Sequence, residues 1–111
     1  LYMTIAEIIS YVDGVKPNAY GNDEKLQWIN ELENSIEANV LDQTEDFTEH
    51  TATDEETLLD ETWKKLYTTY LEARIASANG EFNEYANLIQ LYNEFVGEFQ
   101  NWYCRHYVDI D

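Results

Sequence analysis

The chain has 111 residues, enough for one small domain with one core, and its 23 acidic side chains against six Lys and Arg leave a formal net charge of −17. That balance argues against a groove that neutralises phosphates, so direct nucleic-acid binding is not expected and partners should be basic or neutral. Nine tyrosines, three tryptophans and an apolar share of 44% are too much ring-bearing bulk for a disordered chain, so it is expected to fold.

Leu1 and Tyr2 precede Met3, which could serve as an initiator, and they carry no weight in this reading. Thr4-Ile-Ala-Glu7 fits a capping box: the Thr4 hydroxyl can accept from an early backbone amide while Glu7 reaches back to the cap. Ile5, Ile8, Ile9 and Val12 then share one helical face, and Gly14 followed by Pro17 ends the run. Residues 18–22 carry Asn and Gly turn chemistry. Asp23 and Glu24 place negative charge at the start of a second helix, where the dipole favours it. Its buried stripe is Leu26, Ile29, Leu32 or Glu33, Ile36 and Val40, with Trp28 beside it.

From 42 to 61 the periodicity dissolves into Asp, Glu and Thr, with nine acids and only Phe47, Leu58 and Leu59 as apolar anchors. The segment reads as an acidic loop over 42–60, longer than an ordinary helix connection and therefore functional, mobile or ordered on a partner; a short strand or turn near Phe47 stays open. Asp60 or Thr62 can cap a third helix bearing Trp63, Leu66, Tyr67, Tyr70, Leu71, Ile75 and Ala78. Asn79-Gly80 comes next. The flanks have a period near 3.6, so glycine is expected to supply a left-handed helix end and the chain to turn back as a helical hairpin. Beyond it Phe82, Tyr85, Ile89, Tyr92, Val96, Phe99 and Tyr103 alternate in steps of three and four, while Leu88, Phe95 and Trp102 repeat at seven. The expected fold is all-α: a bundle of about four helices in one domain, with an N-terminal helix pair over 1–41, the acidic loop, and a long hairpin over 61–107. These aromatics read first as core packing; the functional alternative is that part of the stripe stays exposed for another subunit, and surplus apolar surface on the helices would favour assembly.

Reactive chemistry is sparse. Cys104, Arg105 and His106 point to different sides of a helix and do not chelate one ion, and His50 lies in the acidic loop with a solvated side chain as the default. The Asp-x-Asp-x-Asp-Gly order of a calcium loop is missing, as are glycine-rich phosphate loops and Gly-x-Ser-x-Gly elbows. Carboxylate pairs occur, but with this many acids some fall close by chance. No enzyme, cofactor or metal site is expected. Cys104 is the sole cysteine, which excludes an internal disulfide and fits a reducing compartment. No apolar run approaches a membrane span, so the protein is expected in the cytosol.

Two stretches, Thr4-Ile-Ala-Glu-Ile-Ile-Ser-Tyr-Val-Asp-Gly-Val-Lys-Pro-Asn-Ala-Tyr20 and Tyr70-Leu-Glu-Ala-Arg-Ile-Ala-Ser-Ala-Asn-Gly-Glu-Phe-Asn-Glu-Tyr85, together with Asn101-Trp-Tyr-Cys-Arg105, resemble the head–tail connector, or head-completion adaptor, of tailed bacteriophages of Gram-positive hosts. The resemblance implies a small helical structural protein without enzymatic activity. Copies would form a ring, usually dodecameric, beneath the portal protein after DNA packaging, and receive a stopper or tail-completion protein below. It places the protein in the host cytoplasm during assembly and at the head–tail interface of the virion. It also implies portal docking through a C-terminal segment, here Trp102, Tyr103, Arg105, Tyr107 and Val108. Asp42, Glu45, Asp46, Glu49, Asp54, Glu55 and Glu56 are expected to face the DNA channel or a neighbouring ring component, where carboxylates would repel phosphates. The rival reading is an acidic DNA mimic that occupies the basic groove of a host protein, motivated by the net charge.

Overall fold

The computed structural model describes residues 1–41 and 48–107. In chain order these form strand β1 (Tyr2–Thr4), helix α1 (Ile5–Val15), helix α2 (Asn22–Asn39), strand β2 (Glu56–Asp60), a one-turn 3₁₀ helix (Glu61–Trp63), helix α3 (Lys64–Asn79) and helix α4 (Phe82–Tyr107). Four helices carry the structure, and a two-stranded antiparallel sheet is the only sheet among the described residues.

The expected capping box starts α1: the Glu7 amide donates to Thr4 Oγ1 at 3.2 Å, and the Thr4 amide to Glu7 Oε1 at 2.8 Å. The next two orphan amides are also used, Ile5 N–H donating to Glu55 O and Ala6 N–H to Thr53 O. These bonds lay residues 53–55 across the start of α1. Ile5, Ile8, Ile9 and Val12 are buried, as their spacing requires, and the helix stops before Pro17.

Helix α3 packs mainly against α4 and also against α1 and α2, so most of its middle is buried, with Tyr70, Glu72 and Arg74 left half-buried. Leu66, Tyr67, Leu71, Ala73, Ile75 and Ala76 are buried there together with Thr68 and Thr69, whose place in the core the apolar stripe did not announce. Ala78, expected on that stripe, is exposed. Asp60 Oδ1 accepts from Thr62 N–H at 3.0 Å and so caps the 3₁₀ turn; α3 proper begins at Lys64.

Gly80 ends α3 with φ of +79°, the left-handed cap expected at Asn79-Gly80. Its amide donates to Ser77 O and the Glu81 amide to Ala76 O, which closes the last turn. Two side chains from the N-terminal half fasten this tip. Lys16 Nζ reaches Glu81 at 2.7 Å and Glu84 at 2.6 Å, and the Tyr20 hydroxyl donates to Asn79 Oδ1 at 2.7 Å. The chain then returns as α4, whose Tyr92 and Phe99 are buried while Tyr85, Leu88, Ile89, Phe95, Val96, Trp102 and Tyr103 are half-buried. Phe82 opens the expected seam yet stands 71% exposed, because it lies at the tip beyond the reach of α3.

The acidic segment is the main departure from the expected fold. Residues 56–60 are strand, not loop, and β2 pairs antiparallel with β1 in the register Tyr2↔Asp60 and Thr4↔Glu56. Tyr2, given no weight from sequence, is therefore structural, and Leu1 O accepts from Glu61 N–H at 2.8 Å. Phe47, with the strand or turn left open beside it, lies outside the described residues.

Phe99 is 2% exposed and its ring meets Trp63 edge-on at 5.0 Å. Phe99→Ala is expected to cost about 3–5 kcal/mol in urea unfolding; a loss under about 1 kcal/mol would place the ring outside the core.

Candidate docking surface and a buried acid cluster

At the end of the hairpin away from Gly80, helical spacing brings Phe99, Trp102, Tyr103 and His106 to one face of α4. Trp63, from the turn before α3, inserts among them. Its ring centroid is 5.0 Å from Phe99 and 5.6 Å from Trp102, while Trp102 stacks on His106 at 4.8 Å. The His106 Nδ1–H donates to Trp102 O at 2.8 Å. Phe99, Trp102, Tyr103 and Trp63 form one side of a groove of about 230 Å³, and Tyr2, Leu41, Leu58, Leu59 and Asp60 complete it. Apolar and aromatic walls with one carboxylate at the edge suit an apolar side chain from a partner.

A second, larger depression of about 470 Å³ lies around the start of α3, lined by Tyr11, Trp63, Phe95 and the opposed charges of Lys64, Lys65, Glu61 and Glu98. Lys64 Nζ sits 4.3 Å above the Tyr11 ring and Lys65 Nζ 5.8 Å from that of Phe95. Its charges offset one another, so it carries no preference for an ion of either sign.

Behind the groove wall lies a buried carboxylate. Glu33, 1% exposed on α2, accepts at Oε2 from Leu58 N–H at 2.8 Å and from the Tyr67 hydroxyl at 2.6 Å, and its Oε1 meets His50 Nε2 at 2.6 Å. The Tyr67 hydroxyl in turn accepts from Leu59 N–H at 3.1 Å. The β1–β2 ladder is irregular between its two register pairs, so Leu58 and Leu59 find side-chain partners for their amides where a regular strand would offer backbone. Burial, followed by the charge and hydrogen bond of Glu33, drives the Tyr67 phenol well above its ordinary range, so the hydroxyl stays a donor. Every buried side-chain polar atom among the described residues has a hydrogen-bond partner. The cluster's donors and acceptors are spent on one another, and what it does is fasten β2 to α2 and α3.

His50 corrects the solvated reading given to it. Its ring lies between two carboxylates, with Nδ1 at 2.8 Å from Glu55 Oε1, and its backbone is clasped by Asn30, which accepts from His50 N–H at 2.9 Å and donates to His50 O at 3.1 Å. Glu55 is thereby taken up by His50, whereas Glu49, Asp54 and Glu56 are exposed. Asp42, Glu45 and Asp46 lie outside the described residues. Of the C-terminal set, Trp102 and Tyr103 line the groove; Arg105 is exposed beside Asn101 and Cys104, away from it. Tyr107 is the last residue of α4, and Val108 lies outside the described residues. Sequence reading missed the cluster, and its one signal was an acidic residue, Glu33, competing with Leu32 for a place on the apolar stripe of α2.

No protein-family model, curated protein or solved structure matches this chain.

Tyr67→Phe removes a donor from Glu33 and an acceptor from the Leu59 amide at once. The variant is expected to lose about 1–3 kcal/mol in urea unfolding, with faster hydrogen exchange at Leu59; wild-type stability with unchanged Leu59 exchange would show that the hydroxyl is dispensable.

Proposed function

We propose that this protein is a structural adaptor of a tailed bacteriophage, which assembles as a ring beneath the portal after DNA packaging and joins head to tail. The sequence resemblance supports this reading. The stretches that carry it form the capped helix α1, the hairpin turn at Gly80 and the aromatic end of α4. The observation that carries the docking part is the aromatic groove, where Trp63, Trp102 and Tyr103 remain half-buried around an opening instead of closing over it. Such a surface suits an anchor side chain from the portal, with Trp102 and Tyr103 as the principal contacts. Arg105, exposed away from the groove, and the chain end from Tyr107 would add contacts outside it.

Charge distribution fits assembly at α4. Between residues 85 and 104 the only charged side chains are Glu94 and Glu98, so this helix lets copies of a strongly acidic chain approach with least repulsion. Of the acids expected there, the exposed Glu49, Asp54 and Glu56 are assigned to the channel or to a neighbouring ring component, whereas Glu55 is engaged by His50. The ring is dodecameric in this reading, and the tail-side partner is a stopper or tail-completion protein.

Electron microscopy of the protein mixed with its portal is expected to show a ring on the portal's lower face, formed by apolar burial and therefore persisting at high salt. A chain ending before Trp102 should keep its α3–α4 hairpin and lose most of that binding. Unchanged portal binding by the truncated protein would refute the docking role. Salt-sensitive binding to basic proteins with no ring would favour the DNA-mimic reading.

A further inference from the structure

The contacts around His50 require a count of protons. Glu33 Oε2 is filled by the Leu58 amide and the Tyr67 hydroxyl, leaving Oε1 to face His50 Nε2. Glu55 Oε2 is filled by the Thr51 amide at 3.2 Å and the Thr51 hydroxyl at 3.0 Å, leaving its Oε1 to face His50 Nδ1. A neutral imidazole has one N–H and serves one carboxylate while aiming a lone pair at the other. Contacts of 2.6 and 2.8 Å on the two sides therefore need one proton more than a neutral ring and two carboxylates supply.

The segment that carries this ring is held by a small set of bonds. Asn30 clasps the His50 backbone, Thr53 O and Glu55 O receive the first amides of α1, Glu33 holds the Leu58 amide and Tyr67 that of Leu59, and from Glu56 on the segment pairs with β1. We infer that one proton shared by Glu33, His50 and Glu55 locks residues 50–59 onto α1 and α2, and that losing it as the pH rises releases this strap while the helices stay packed. The lock does not depend on what the groove binds, although Leu58 and Leu59 belong to both.

The groups facing the ring come from every element around it. Glu33 and Asn30 come from α2 and Glu55 and Thr51 from the strap itself, while Tyr67 of α3 stands behind Glu33; α1 meets the strap through backbone amides, its Glu7 being turned to Thr4. Burial disfavours the charged ring, but the hydrogen bond to Glu55 with the charge and hydrogen bond of Glu33 outweighs it, and His50 is held above the ordinary histidine value. The hydrogen bond from His50, then those from Thr51, hold Glu55 below the ordinary carboxylate value. The stabilisation from His50 is thus complete below its unfolded value near ~6.5 and lost as pH rises through the folded value. That from Glu55 is complete above its unfolded value, near ~4.3, and lost as pH falls through the lowered one. The strap is tightest between these limits.

The test follows the His50 ring by NMR in the full chain across pH 5 to 9, together with hydrogen exchange at the amides of Ile5, Ala6, His50 and Leu58. The lock predicts a ring midpoint above ~6.5 and, across that midpoint, about tenfold loss of protection at these amides for each unit of upward shift, with Leu71 and Ile75 unchanged. Glu33→Gln keeps the shape, removes the charge and should lower the midpoint. Glu55→Gln, at the outer side, should lower it too without disturbing the core, which keeps the idea testable if Glu33→Gln does not fold. A midpoint at or below the free-histidine value, protection that is flat across the titration, or a midpoint unmoved by Glu55→Gln would overturn the lock.

Discussion

A carboxylate withdrawn from water costs several kcal/mol unless donors replace its hydration, and Glu33 meets that demand from three directions. A β2 amide, a phenol from α3 and the His50 ring converge on its two oxygens. The consequence is architectural. The strap and β2 have few apolar side chains of their own, and their place against the bundle is set by polar contacts to Glu33 and Asn30 of α2 and to the first amides of α1, together with the pairing to β1. Where a small sheet would otherwise leave amides unpaired, Glu33 and Tyr67 accept from them, so the irregular register of β1 with β2 is tolerated.

The hairpin is built on the opposite principle. Helix α3 is held by apolar packing against three helices, and α4 covers one of its sides while keeping much of its own aromatic surface half-open. Among the cations, Lys16, Lys25 and Arg74 are spent on Glu81 and Glu84, on Asp13 and on Glu31, so much of the limited positive charge serves internal pairing. The result is an acidic body with an aromatic, weakly charged helix. This division suits a protein that meets partners through rings on one helix and repels polyanions elsewhere.

Local chemistry was legible from sequence wherever it acts over a few residues. The Thr4 cap, the burial of Ile5, Ile8, Ile9 and Val12, the Gly80 turn and the course of α4 all follow from short-range spacing. Pairing between Tyr2–Thr4 and Glu56–Asp60 was not legible, because neither strand is long enough to show alternation and more than fifty residues separate them. His50 looked solvated since its partners lie 17 residues back on α2 and five residues ahead. Thr68 and Thr69 looked peripheral because centrality is a property of the packed bundle, and a stripe read from one helix cannot report it. The aromatic groove was half-visible: the α4 residues were singled out, whereas Tyr2, Leu41 and the β2 wall that complete it come from elements whose meeting depends on the fold.

Glu33 acts as a hub whose bonds depend on one another. A double-mutant cycle on Glu33→Gln and Tyr67→Phe, read by urea unfolding at pH 6, addresses this most directly. A coupling energy of about 1–3 kcal/mol is predicted for groups that share one buried network; losses that add to within about 0.5 kcal/mol would contradict it.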